Sequence, residues 1–290
     1  MTTDLVERVK QALKDPSECP WLPGLVEELV NVGWRDLYWD LGLLPSNYGT
    51  ARVMARDASV PRRIAALKQI ATSNENHKYV IQIEILGEEL ARRYEEGGIK
   101  FYTAEEISCA MISRRVEEAI NLLKVIPTLF ATVALLVKSV HLIDAEDDDY
   151  DVSFSEPHIP FSIFISVPRR CNLISHLRIA EALVHEAMHL QLTLIEKIVP
   201  FVTTSQNKYF SPWRGEYRNA QGVIHALYVF RVIDGFLKRL PISSYSSEEG
   251  EYVKNRRAEI HKQILEIKSF QDSSDLTREG YNFVRKLLLW

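Results

Sequence analysis

The chain has 290 residues, a formal net charge of −4, and 46% hydrophobic against 26% charged residues, with only 12 Gly and 12 Pro. That balance excludes a disordered or fibrous chain and gives no general attraction to nucleic acid, which calls for a basic face. The length suits one large domain or two coupled lobes. Three cysteines, Cys19, Cys109 and Cys171, are odd in number, widely spaced and form no CxxC pair. They read as thiols in a reducing compartment and not as disulfides or zinc ligands.

From the N-terminus, Met1 to Leu5 shows no basic segment followed by an apolar run, so a cytoplasmic protein without a signal peptide is expected. Leu5, Val9 and Leu13 recur at helical spacing, and Pro16 and Pro20 end that element. The stretch from Asn31 to Thr50, broken by Gly33, Gly42, Pro45 and Gly49, reads as irregular, packed by Trp34, Tyr38 and Trp39. Pro61 opens a predicted helix to about Ser73, and Lys78 to Glu96 reads as another. Thr103 with Glu106 is a capping box, starting a helix through Ile120 with a break near Pro127. The apolar run Leu122 to Val137 contains Lys124 and Pro127 and falls short of the roughly 20 residues a bilayer span needs, so no membrane is expected.

After Lys138 the pattern becomes strand-like: Val140 and Leu142, then Val152 to Phe154, then Phe161 to Val167. The acidic run Asp144 to Asp149 reads as a solvated turn. A long helix follows from about Ser175 to Val199, then a polar loop, then a helix from about Tyr217 to Leu240 ended by Pro241, and finally two charged helices. The fold class expected is mainly α (α+β), a helical bundle with a two- or three-stranded sheet beside the helix of residues 185–189. An N-terminal helical region over 1–138 and a metal-binding catalytic region over 139–290 are expected to form one continuous unit.

The chemistry lies in His185-Glu186-Ala187-Met188-His189. Four residues on a helix give about 400° of rotation and about 6 Å of rise, so both imidazoles face one ion. Glu186 is next to them and can reach a metal-bound water. This is the HExxH pattern, met most often in zinc peptidases with the Glu as general base. A catalytic metal needs a third ligand. His176 falls on the opposite helix face, Glu196 lies about 10 Å beyond His189 along the axis, and Glu181 suits a supporting role. His225, inside the apolar Val223 to Tyr228, is the best candidate, with Glu216, His141 and His158 next. Arg218, seven residues before His225, and Arg214 are placed to grip a carboxylate in a bidentate fork.

HEAMH, then Ser211-Pro212-Trp213-Arg214, then Gly222-Val223-Ile224-His225-Ala226, form a series. It resembles the HExxH-motif peptide-modifying enzymes of ribosomal peptide natural-product (RiPP) clusters, which include iron- and 2-oxoglutarate-dependent peptide β-hydroxylases. The match covers about 185–230, with looser similarity over 151–168. The resemblance implies Fe(II) held by His185, His189 and His225, a departure from the two-His-one-carboxylate triad of such oxygenases. It implies 2-oxoglutarate bound with help from Trp213 and with its far carboxylate on Arg214 or Arg218. It also implies O2-driven hydroxylation of a side-chain Cβ in a precursor peptide, with Glu186 orienting a ligand or water. The alternative is a zinc metallopeptidase; a helical scaffold with a structural metal is a third reading. In either enzyme reading the peptide could add to an exposed strand near Ser162 to Val167.

Overall fold

The computed structural model describes residues 3–40, 65–73, 78–108, 110–145, 151–155, 161–170, 172–203, 206–241, 243 and 245–290. The protein is mainly helical with a minor β component. Its chain divides into two units, one of residues 1–29 with 191–290 and one of residues 30–190.

The unit of residues 30–190 is built on a five-stranded sheet. Its strands are β1 (Ala65–Ser73), β2 (Lys78–Ile85), β3 (Ser139–Ala145), β4 (Ser153–Ser155) and β5 (Ser162–Pro168). They lie in the order β1-β2-β3-β5-β4. β3 and β5 run parallel from Ser139↔Ser162 to Ala145↔Pro168, and both are buried almost end to end. Near-continuous apolar sequence is what a parallel strand covered on both faces requires. The polar residues in these strands find partners: Ser139 and Ser162 share a hydrogen bond of 2.6 Å. His141 Nδ1 lies 3.1 Å from the Glu84 carbonyl, and its ring stacks on Phe164 at 4.6 Å.

The helices of this unit are α2 (Val26–Asp40), most of which lies in it, with α3 (Glu88–Glu96), α4 (Ala104–Ser108), α5 (Ala110–Leu123) and α6 (Pro127–Leu136). The capping box is present: Thr103 N donates to Glu106 Oε2 at 2.9 Å and Glu106 N to Thr103 Oγ1 at 3.3 Å. The break at Pro127 is also present, since α5 ends at Leu123 and Pro127 opens α6. Leu90 and Tyr94 of α3 pack over Ile143 and Phe164 of the sheet.

Four segments of this unit differ from the sequence reading. Residues 31–40 are helical, because the buried Val32 and Trp34, the latter stacked on Phe161 at 4.6 Å, outweigh the cost of about 1 kcal/mol for Gly33 inside a helix; residues 41–50 lie outside the described residues. The predicted helix to Ser73 is strand β1, paired antiparallel with β2 through Ile70↔Ile81; here long-range pairing overrides a helix-compatible composition. Lys78 to Glu96 divides into β2, with Tyr79, Ile81 and Ile83 buried in strand alternation, and α3 after Gly87. Asp144 is the buried end of β3, 2.5 Å from Arg169, and not part of a solvated turn; residues 146–150 lie outside the described residues.

The unit of residues 1–29 and 191–290 holds α1 (Thr3–Lys14), α8 (Ala220–Lys238), α9 (Ser247–Glu266), α10 (Arg278–Leu289) and a hairpin of β6 (Tyr209–Ser211) and β7 (Glu216–Arg218). Helix α7 (Ser175–Glu196) contributes residues 175–190 to the first unit and 191–196 to this one. α8 is the one helix among the described residues long and apolar enough to cross a bilayer, and most of it is buried core. α10 packs on the chain after α7 so closely that a Cβ at Gly280 would stand 2.1 Å from the Phe201 carbonyl oxygen. Thr277 N donates to that same oxygen at 2.9 Å, which fixes the approach. We expect Gly280→Ala to lower stability by about 1–3 kcal/mol or more, read as a reduced urea midpoint; an unchanged midpoint would contradict this packing.

Candidate metal centre

α7 carries the HExxH segment on a helix whose other faces are core: Leu183, Val184, Ala187, Met188 and Leu192 are fully buried. That burial fixes the helix rotation and leaves His185 and His189 partly exposed on the remaining face. The two Nε2 atoms converge to 3.1 Å, and the rings meet edge to face at 4.8 Å. Metal–nitrogen bonds of about 2.0–2.1 Å place two ligating nitrogens about 2.9 Å apart at a right angle and about 3.4 Å apart at the tetrahedral angle. The observed separation falls between these values, as one divalent ion held by both nitrogens requires.

Glu186 is almost fully buried, and its Oε1 stands 3.9 Å from His185 Nε2. Ser153 Oγ, on edge strand β4, donates to that oxygen at 2.7 Å. β4 is held there by antiparallel pairing with β5, Ser153 opposite Ile165. Ser153 therefore orients Glu186 beside the histidine pair. Sequence reasoning missed it, because a single serine 33 residues upstream carries no periodic or spacing signal. β5 itself is paired on both sides, with β3 and β4, so the expectation of peptide addition at 162–167 is corrected: that strand has no exposed edge there, and the edge is β4.

The third-ligand and carboxylate-binding candidates belong to the other unit. His225 lies on α8, with Nε2 2.9 Å from Glu196 Oε2, and Gln221 Nε2 donates to the same oxygen at 2.9 Å. A carboxylate on one ring nitrogen commonly fixes the orientation of a metal-binding histidine; a metal on His225 in this arrangement takes the ring through Nδ1. Arg218 is on β7 and not on the helix of His225, because α8 starts at Ala220 after the N-cap Asn219. The helical extrapolation between the two residues is thereby corrected. The Arg218 guanidinium lies over Gly222, where a Cβ would come within 3.2 Å of it, and its Nε is 3.8 Å from Glu216.

The Ser-Pro-Trp-Arg segment forms the hairpin turn, closed by Gly215 N on the Ser211 carbonyl at 2.8 Å, with Gly215 at φ 66°. A positive φ suits glycine there. Trp213 stacks flat on Phe230 of α8, centroids 5.3 Å apart, which pins the turn. Arg214 is exposed and makes no ion pair among the described residues. Ser211 Oγ and Trp213 Nε1 are buried polar atoms with no hydrogen-bond partner among the described residues. Each such atom costs about 1–3 kcal/mol, which a bound polar ligand would relieve. The turn thus carries one exposed cation, Arg214, and two buried polar atoms open to a ligand.

His141 is buried against Glu84 in the sheet, Glu216 is exposed on β7, and His158 lies outside the described residues. Among the described residues no three His, Cys, Asp or Glu side chains converge as a ligand group. The chain matches no protein-family model, and no curated protein is significantly similar to it in sequence.

We expect the purified chain to bind one equivalent of Fe(II), Co(II) or Zn(II), and His185→Ala or His189→Ala to weaken binding by at least about a hundredfold, since each removes a direct ligand. Equilibrium dialysis with metal analysis measures this; undiminished affinity in both variants would contradict the assignment.

Proposed function

We propose that the protein is a non-haem iron, 2-oxoglutarate-dependent oxygenase that hydroxylates side-chain Cβ positions of a ribosomally made precursor peptide in the cytoplasm. The observation that carries the reading is the pair of converging Nε2 atoms of His185 and His189, with Glu186 fixed beside them by Ser153. His225 is the third ligand that the motif series assigns, and that assignment rests on the resemblance to the HExxH peptide-modifying enzymes. The turn with Arg214, Trp213 and the orphaned Ser211 Oγ favours a carboxylate cosubstrate over simple hydrolysis.

Each residue has a defined task. His185 and His189 hold the ion through neutral imidazoles. Glu186, kept in place by the Ser153 hydroxyl, accepts hydrogen bonds and orients a water or ligand beside the ion. Arg214 or Arg218 grips the far carboxylate of 2-oxoglutarate, which sets the cosubstrate's direction. When bound, iron supplies the capacity to couple 2-oxoglutarate decarboxylation to C–H oxidation. The balance is one O2 and one 2-oxoglutarate consumed per hydroxylation, one oxygen atom entering succinate with release of CO2 and the other becoming the new hydroxyl.

The second reading, a zinc peptidase, is favoured by the position of Glu186 Oε1, 3.9 Å from His185 Nε2, where a general base for metal-bound water would stand. One set of assays separates the two. With Fe(II), 2-oxoglutarate and O2 the oxygenase forms succinate; His185→Ala abolishes this, and Ser153→Ala slows it about 10- to 100-fold. Oxygen-independent cleavage of peptides with zinc, lost in Glu186→Ala and with no succinate formed, would overturn the oxygenase in favour of the peptidase.

A further inference from the structure

In the unit of residues 1–29 and 191–290, the C-terminal ends of α1 and α10 border a cleft of about 490 Å³. Lys14, Asn282, Arg285, Lys286, Leu289 and Trp290 line it. Its size lies within the range of small-molecule sites. Lys286 is buried, with 4% of its surface exposed, and its Nζ donates to the Ala12 carbonyl at 2.8 Å. Ala12 is in the last turn of α1, where carbonyls lack helical donors, so this ammonium caps the helix with one of its three protons. Burial pulls Lys286 down to about 8, while Glu18 and Asp15 act in the opposite direction.

Lys14 and Arg285 are left to the cleft. Both are exposed, and among the described residues neither makes a hydrogen bond or ion pair. The nearby Asp15 is engaged: its Oδ1 accepts from Ser17 N at 2.9 Å and from Ser17 Oγ at 2.7 Å. Trp290 and Leu289 add apolar surface to the lining. Trp290 is held edge-on to Trp21 at 6.4 Å with the Arg239 guanidinium 5.5 Å from its ring centre, and Leu289 is 74% exposed. Two uncommitted cations and an indole held in place, lining one cleft, match an anionic head on a flat apolar body.

We propose that this cleft binds a small organic oxyanion, a carboxylate or phosphate ester with a planar apolar body, its head between Lys14 and Arg285 and its body against Trp290 and Leu289. The cleft shares no residue with the candidate metal centre or with the turn of Arg214. The test is calorimetric titration of the full chain with phenyl phosphate, benzoate and inorganic phosphate at constant ionic strength. At least one aromatic anion should bind saturably at one site, about tenfold or more tighter than inorganic phosphate, because only it buries apolar surface. The Lys14→Ala/Arg285→Ala double variant should keep its circular dichroism and bind about tenfold or more weakly, having lost charge-assisted hydrogen bonds. The tighter of the two aromatic anions identifies the head group. No saturable binding of either, or equal affinity in wild type and double variant, overturns the proposal.

Discussion

Two imidazole nitrogens held 3.1 Å apart on one face of α7 are the constraint around which the proposed chemistry is arranged. The separation depends on helical rotation, and the rotation depends on burial of Leu183, Val184, Ala187, Met188 and Leu192 on the other faces. Packing and ligand geometry are therefore one problem here. A helix less completely buried could turn or fray, and the two rings would lose their common focus. The sheet enters the same constraint through β4, whose Ser153 fixes Glu186, and β4 is in turn held by the buried strand β5.

In the unit of residues 1–29 and 191–290, the candidate residues divide between fixed and uncommitted. Trp213 is spent on stacking against Phe230 and Gly215 on the turn, while Arg214 and the buried Ser211 Oγ remain without protein partners among the described residues. Such a division is what a binding turn needs: rigid anchors with free polar groups between them. His225 is half of a pair with Glu196, and Gln221 holds the other half in place. In the proposed enzyme that carboxylate sets the ring tautomer, leaving Nδ1 for the metal.

The convergence of His185 and His189 was legible in the sequence because a helix converts a spacing of four residues directly into a shared face. The capping box at Thr103 and Glu106 and the break at Pro127 were legible for the same reason, each being a local rule. What escaped was set by distant contacts. β1 has a composition that tolerates a helix, and only pairing with β2 makes it a strand. Arg218 and His225 are seven residues apart, but a hairpin strand and an N-cap intervene, so helical periodicity does not connect them. Ser153 reaches Glu186 across 33 residues through strand pairing, which no linear pattern announces.

The central claim is that the histidine pair holds iron in a site that also takes 2-oxoglutarate. Its most direct test is an anaerobic visible spectrum of the metal-free chain as Fe(II) and then 2-oxoglutarate are added. The account predicts a weak absorption band that requires both and is absent in His189→Ala. No band, together with tight stoichiometric zinc binding indifferent to 2-oxoglutarate, would contradict it.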